Sequence, residues 1–180
     1  MDFLREIPIK SGSSDKDSSP CGKDLPWIDG IVVLGFNEDF TYSPDRKWFL
    51  RASLSTEMKY HSFLFSTTGI SRELGAEMIR WFAWSPDSTF LAFTLFDDTT
   101  ANKNPLYLMS VNDEQPLPII TELYVKGDPT WSPDSRWIAF SAKGSDGNVD
   151  IYKVNIETKE VIRLTTDPAQ DRNPVWRPAP

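Results

Sequence analysis

The sequence predicts an all-β fold of repeated four-stranded sheets, arranged as about three blades of a partial β-propeller plus the first strand of another. The first observation is a motif of an aromatic residue, Ser-Pro-Asp and an apolar run, found at 42–50, 84–93 and 131–141. The second is the spacing, because these copies and a fourth start at 175–178 recur every 42 to 47 residues. A repeat of this length is typical of propellers and other repeat arrays.

Each copy of the motif predicts a strand, a tight turn and a second strand. The motif serines are Ser43, Ser85 and Ser132, and the motif aspartates are Asp45, Asp87 and Asp134. Proline fixes its own φ and pushes the preceding serine towards extended geometry, while the aspartate can accept a backbone N–H within the turn. The following run is apolar at consecutive positions, as in 90–93 and 137–140, which predicts a strand covered on both faces.

These residues resemble the WD-like repeat of TolB-type β-propellers, whose signature is Trp-Ser-Pro-Asp-Gly followed by an Ile-Ala-Phe-like strand. The resemblance is closest in the third copy, where 146–152 and 161–165 are similar to the later strands of that repeat. It covers roughly residues 38–180. The resemblance implies a propeller that binds protein partners of a cell-envelope assembly.

The sequence departs from that repeat in two ways. The glycine after the aspartate is replaced by Arg46, Ser88 and Ser135. If this position is left-handed, a non-glycine residue strains the turn by about 1 kcal/mol. The first copy also has Tyr42 for tryptophan and Arg51 where the other copies have phenylalanine, which is typical of a worn or terminal blade.

The chain divides into a polar tail and a propeller segment. Residues 1–24 are rich in serine and charge and are predicted to be disordered, and residues 25–180 form the propeller. The blades are predicted at 38–79, 80–126 and 127–172, with the first strand of another at 173–180. A strand within 27–35 is interpreted as the outer strand of an incomplete preceding blade, and 73–78 as a weak fourth strand or a helical turn.

Three blades and a fraction are too few for a closed ring, which takes about four to eight. Open blade faces and strand edges favour association. Three explanations remain open. The chain is a piece of a longer protein, a homo-oligomer completes the propeller ring, or a partner covers the ends.

Composition excludes some classes of partner. With 19 basic and 26 acidic residues the net charge is −7, which disfavours nucleic acid and anionic lipid. No apolar run is long enough for a membrane helix, so we expect no membrane insertion. The first residues lack a secretory signal, so we expect a periplasmic protein if the true N-terminus is missing and otherwise a cytoplasmic one. Cys21 is the only cysteine and predicts a free thiol with no internal disulfide.

Candidate contact residues precede each predicted inner strand, where the blades differ from one another. They are Asp39, Arg80, Asp128 and Asn173. In a propeller these positions would surround one mouth of the central channel, and such loops commonly carry binding residues. The alternative interpretation is that these four residues are ordinary solvent-exposed loop residues with no role in binding.

Two further patterns are interpreted as structural. His61 is the only histidine, and the chain contains no Gly-x-Ser-x-Gly motif, which disfavours a Ser-His-Asp hydrolase. Residues 146–150 resemble half of a calcium loop, and Glu157 falls at its twelfth position. Because 151–154 is predicted to be a strand, a hairpin with Asp150 as a structural residue is favoured, with no metal and no cofactor.

The sequence favours a non-enzymatic protein-interaction or scaffold module, because loops around a rigid axis suit binding. The alternative is the N-terminal substrate-gating propeller of a prolyl-oligopeptidase or dipeptidyl-peptidase-like serine peptidase, whose catalytic domain lies elsewhere. A small-ligand or calcium-binding propeller is a third hypothesis.

Overall fold

The computed structural model describes residues 31–32, 41–55, 60–75, 78–96 and 104–177. Every regular element in these ranges is a β-strand, and the strands form three antiparallel sheets. None of the described residues belongs to a helix that is long and apolar enough to cross a membrane. The tail at 1–24 and Cys21 lie outside the described residues.

The first sheet has β3 at its centre. Its strands are β1 (Ile31–Val32), β2 (Thr41–Tyr42), β3 (Trp48–Ser55), β4 (Tyr60–Ser66) and β5 (Ser71–Gly75). Both β1 and β2 pair with β3, so the interpretation of 27–35 as the outer strand of a preceding blade is wrong. The helical turn considered at 73–78 is also wrong, because Gly75 ends a strand and Met78 begins the next.

The second sheet is a meander of four strands in chain order. They are β6 (Met78–Trp84), β7 (Phe90–Phe96), β8 (Leu106–Ser110) and β9 (Leu117–Ile120). The pairing of β6 with β7 is irregular between Ile79 and Phe82. This sheet begins at Met78, two residues before the predicted start of the second blade.

The third sheet repeats the split first strand of the first sheet. Its strands are β10 (Tyr124–Val125), β11 (Thr130–Trp131), β12 (Trp137–Lys143), β13 (Val149–Asn155) and β14 (Val161–Arg163). Both β10 and β11 pair with β12. The sequence did not predict β10, because Asn104 holds it from the second sheet: its side chain donates to Val125 O at 2.8 Å, and Val125 N donates back at 3.1 Å.

The Ser-Pro-Asp turn is closed by side-chain hydrogen bonds, as the third copy shows. The Ser132 hydroxyl accepts from Trp137 N at 2.9 Å and donates to Asp134 Oδ1 at 2.5 Å. The same carboxylate accepts from Arg136 N at 3.2 Å. Ser135 has a φ of 58°, and its equivalents Arg46 and Ser88 have values of 59° and 64°. The predicted aspartate cap is confirmed, and the position after the aspartate is left-handed in all three turns.

The second sheet lies between the other two, and this explains its consecutive apolar residues. Leu91 and Phe93 pack in a cluster shared with the first sheet, and Ala92 packs in a cluster shared with the third. All three side chains are fully buried. Alternate side chains of β7 therefore pack against the first and the third sheet, as expected of a strand covered on both faces.

Three indoles bridge successive repeats. Trp84 Nε1 donates to Thr41 O, 43 residues earlier, at 3.1 Å. Trp131 Nε1 donates to Ala83 O, and Trp176 Nε1 to Thr130 O, both at 3.0 Å. Residues 173–177, predicted as the first strand of another blade, are not assigned to a strand in the structure, yet Trp176 makes the contact that this position makes in the other repeats.

Candidate functional site

The sheets have two chemically different ends. Strand β12 runs from Trp137, beside a Ser-Pro-Asp turn, to Lys143, beside the loop at 144–148 that leads into β13. We call the end with the Ser-Pro-Asp turns the turn end, and the opposite end, with the loop at 144–148, the hairpin end. The chain enters the first strand of each sheet at the hairpin end, at Ile31, Met78 and Tyr124.

The structure brings one of those contact residues close to the chain neighbour of another. Asn173 Oδ1 lies 3.5 Å from the position that a Cβ on Gly127 would occupy, and Gly127 directly precedes Asp128. The Asn173 N–H donates to Ser141 Oγ at 3.1 Å and fixes this approach. Both Asp128 and Asn173 are exposed.

The other two predicted contact residues are not joined to this pair. Exposed Arg80 lies in the irregular part of β6, with its guanidinium carbon 4.5 Å from the centroid of the Trp81 ring. Asp39 lies outside the described residues. Contact with a ligand stays a prediction for all four residues.

A pocket that sequence reasoning missed opens beside Gly127. It has a volume of about 520 Å³ and is lined by Tyr124 and Lys126 on one side and Lys143 and Ser145 on the other. Tyr124 and Lys143 are directly paired residues of β10 and β12. The sequence signal for this pocket is a Lys-Gly pair at the end of each of the two strands, at 126–127 and 143–144. Nothing in the local sequence indicates that these two pairs lie near each other.

The wall formed by the loop at 144–148 is held by a network around Asp150, whose side chain is fully buried. Arg163 Nη2 donates to Asp150 Oδ2 at 2.6 Å and to Asp146 Oδ2 at 2.7 Å. Thr165 and Asn148 make longer contacts of 3.4 Å with Asp150 Oδ1. The hydrogen bond from Arg163 holds the pKa of Asp146 below its ordinary value, and the same bond raises the pKa of Arg163.

This network bears on the calcium hypothesis. The carboxylates of Asp146 and Asp150 share one guanidinium, and Glu157 lies beyond the end of β13. Gly144 N donates to Asn148 O at 3.0 Å, which closes a hairpin. The predicted hairpin with Asp150 as a structural residue is therefore confirmed.

Gly144 is required where the hairpin crosses Tyr152. A Cβ at this position would lie 2.9 Å from the Tyr152 hydroxyl and 3.1 Å from Asp146 Oδ1. Burial raises the pKa of Tyr152 above its ordinary value, with Asp150 and Asp146 adding to the effect and Arg163 opposing it.

His61 lies on β4 in the first sheet. Its Nδ1 atom is 2.6 Å from Glu73 Oε1 on the neighbouring strand β5. The two side chains are 25% and 50% exposed, so the contact is a cross-strand pair near the surface. The structure thus gives His61 a partner within its own sheet.

Comparison with known proteins identifies relatives that match the repeat described above. The Tol-Pal system protein TolB of Ruthia magnifica subsp. Calyptogena magnifica is 29% identical over 84 residues, which are 47% of this chain and 19% of that protein. An Agrobacterium tumefaciens protein named as a TolB is 26% identical, with a TM-score of 0.58 over 78% of this chain and 52% of that one. The described chain carries TolB-like β-propeller blades. No family model matches it.

Peptidase propellers share the fold of the TolB-like blades. A Bacteroides ovatus protein named as a dipeptidyl aminopeptidase IV has a TM-score of 0.60, at 14% identity, over 79% of this chain and 30% of that one. The β-propeller domain of the Trilobed protease from Pyrococcus furiosus has a TM-score of 0.52 at 13% identity, over 68% of this chain and 40% of that domain. At these identities the likeness shows the fold alone.

Proposed function

We propose that this chain is a non-enzymatic protein-interaction module whose binding surface is the hairpin end of its sheets. The observation that carries the proposal is the approach of exposed Asn173 to Gly127, which lies between Lys126 and exposed Asp128 in the chain. Lys126 lines a pocket of about 520 Å³. Exposed polar residues next to a concave surface on a rigid sheet are the usual basis of binding by repeat folds.

The polar residues that recur in every repeat are occupied within their own turns, and this supports a non-enzymatic role. Ser43, Ser85 and Ser132 each donate to the aspartate two residues later, at 2.7, 2.6 and 2.5 Å. These groups therefore serve the turns. The likeness to a protein named as part of the Tol-Pal system adds to this support.

Site-specific photo-crosslinking tests the proposal. A photoreactive amino acid would replace Asp128 or Asn173 at the hairpin end, and Glu157 at the turn end as a matched exposed control. We expect one protein partner to be crosslinked from 128 and 173 and none from 157. Equal crosslinking from both ends, or none from 128 and 173, would contradict the proposal.

The peptidase alternative is tested separately. The full-length protein would be treated with a fluorophosphonate probe, which labels activated serines, and assayed with chromogenic prolyl and acylaminoacyl substrates. We expect neither labelling nor turnover. If the probe labels the protein and thereby abolishes a measurable turnover, the interaction-module proposal is rejected in favour of the peptidase propeller.

The proposal includes self-association that completes the ring. The described residues form three sheets, and large apolar side chains are exposed on β9 and in the segment after the last strand, with Leu117 60% and Val175 89% accessible. Such surfaces favour contact with a second copy. Light scattering should give a mass above 20.5 kDa. A compact monomer that does not bind an apolar dye would remove this part of the proposal.

A further inference from the structure

The pocket at the hairpin end carries positive charge in an acidic protein. Lys126 and Lys143 line it together with Glu122, and the chain as a whole has a net charge of −7. Neither lysine forms an ion pair with any of the described residues. Two ammonium groups that form no ion pair with the described residues attract an anion when they lie at one concave surface.

A second carboxylate near the pocket, that of Asp146 in the hairpin, is already engaged. Asp146 Oδ2 accepts from Arg163 Nη2, and its Oδ1 accepts from Asn148 N at 3.1 Å. Lys143 instead lies over the hairpin turn, with its Cε 3.8 Å from where a Cβ on Gly147 would be. Asp146 thus shares Arg163 with Asp150, and Lys143 has no carboxylate partner among the described residues.

Both walls of the pocket are fixed before any ligand binds. Lys126 N donates to Ser141 O at 2.8 Å, which ties the residue after β10 to β12. Asn104 holds β10 from the second sheet, and Gly147 N donates to Gly144 O at 3.1 Å within the hairpin. A site whose walls need no reordering loses less free energy on binding.

We infer that this pocket binds a carboxylate side chain of an acidic segment in the protein partner. The inference rests on the proposed function and names the chemistry of its partner. Two lysines and one glutamate give the lining a net charge of +1, which suits a single carboxylate better than a dianionic phosphate. The Tyr124 ring, 5.6 Å from Lys126 Nζ, adds an apolar surface for the methylene groups of a glutamate.

Fluorescence anisotropy tests this assignment with a labelled glutamate-rich peptide and its glutamine counterpart. The pocket variant combines Lys126→Gln with Lys143→Gln. The control variant combines Lys47→Gln with Lys159→Gln, which removes the same charge from exposed turn-end residues. We expect the pocket variant to bind the glutamate peptide about tenfold more weakly and the control to change less than about twofold. Thermal unfolding verifies that both variants are folded.

Several outcomes would overturn the inference. They are equal weakening by both variants, no weakening by the pocket variant, equal binding of the glutamine peptide, and no binding of either peptide. Inorganic phosphate that competes more strongly than the glutamate peptide would overturn the choice of a carboxylate.

The crosslinking experiment separates this inference from the proposed function. If the pocket variant still yields the partner adduct from position 128 with undiminished efficiency, the interaction module stands and the pocket assignment fails. If the unmodified pocket yields no adduct, the proposed function itself fails.

Discussion

The hydroxyl of Ser88 accepts a hydrogen bond from the backbone N–H of Asp45 at 2.9 Å, joining a turn of the second sheet to the matching turn of the first. Ser135 accepts from Asp87 N at 3.2 Å and so links the third sheet to the second. Both serines are buried at left-handed positions. In the second and third turns, the serine that replaces glycine thus supplies a contact between blades that glycine could not make.

Ser88→Ala should destabilise the protein more than Ser88→Gly. Both variants remove the hydroxyl and leave the Asp45 N–H without its acceptor, which costs about 1–2 kcal/mol. Alanine keeps the left-handed strain, whereas glycine relieves about 1 kcal/mol of it. Urea unfolding should therefore place the alanine variant about 1 kcal/mol below the glycine variant.

Arg46→Gly is the matched control for the serine prediction. Arg46 is exposed, has the same left-handed φ of 59°, and belongs to the first turn. Its replacement should relieve strain without removing a link between sheets, and should raise the free energy of unfolding by up to about 1 kcal/mol. If Arg46→Gly and Ser88→Gly had the same effect, the Ser88 hydroxyl would contribute nothing.

Trp131→Phe should destabilise the protein by about 1–3 kcal/mol, because Ala83 O loses its indole donor and the ring loses volume. The phenylalanine keeps an aromatic ring near Phe90, whose centroid lies 6.2 Å from that of Trp131. Trp176→Phe removes an equivalent bond from a less buried residue. Denaturant unfolding should show the smaller loss for Trp176→Phe, and a reversed order would contradict the bridging role of Trp131.

Acid should destabilise the turns. The Ser43 hydroxyl lowers the pKa of Asp45, and the Ser132 hydroxyl lowers that of Asp134. Partial burial raises the pKa of Asp87, but hydrogen bonds from Ser85 and Thr89 outweigh this effect, so its pKa is lowered too. A carboxylate with a lower pKa in the folded state stabilises the fold above its unfolded pKa, and this contribution is lost as pH falls through the folded value.

The contribution of these aspartates should therefore be constant near neutral pH and decline below their ordinary pKa of 3.8. Ser132→Ala should raise the pKa of Asp134 towards that value and weaken the acid dependence of stability. Two-dimensional NMR titration of the aspartate side chains checks the direction. An Asp134 pKa unchanged by Ser132→Ala would contradict the assigned cause.

The sequence was sufficient for features whose causes are local or periodic. Pro133 and Asp134 determine their turn through φ and a cap two residues away, and the burial of Leu91, Ala92 and Phe93 follows from their unbroken apolar run. Chain order could not reveal contacts between distant segments. The hydrogen bond between Asp45 and Ser88 joins residues 43 positions apart in the chain. It can be recognised only when the two sheets are packed against each other.

The candidate site illustrates the same limit. Asp128 and Asn173 were predicted as contact residues because the residues before each inner strand vary between repeats. Lys126 and Lys143 were missed because the register of β10 against β12 brings them together, and β10 depends on Asn104 in another sheet. A strand of two residues has too little periodicity to be recognised from its own sequence.

Asp150→Asn should destabilise the protein by about 2–4 kcal/mol, because it leaves Arg163 facing an amide in place of a fully buried carboxylate. Asp146→Asn is the matched control, since the side chain of Asp146 contacts the same guanidinium but is 47% exposed. Exposed pairs contribute little, so the control should lose much less stability than Asp150→Asn.

Hydrogen exchange should locate the effect of Asp150→Asn in the hairpin. The amides of Gly144 and Asn148 are the reporters, because Gly144 N donates within the hairpin and Asn148 N donates to Asp146. Faster exchange of Gly144 in the Asp150 variant than in the Asp146 variant would show that the buried carboxylate holds this wall of the pocket. Equal exchange and equal stability in the two variants would mean that the buried carboxylate of Asp150 does not hold the hairpin at 144–148 more firmly than the exposed contact of Asp146 does. This wall of the lysine pocket would then lack the support that fixes it before a ligand binds.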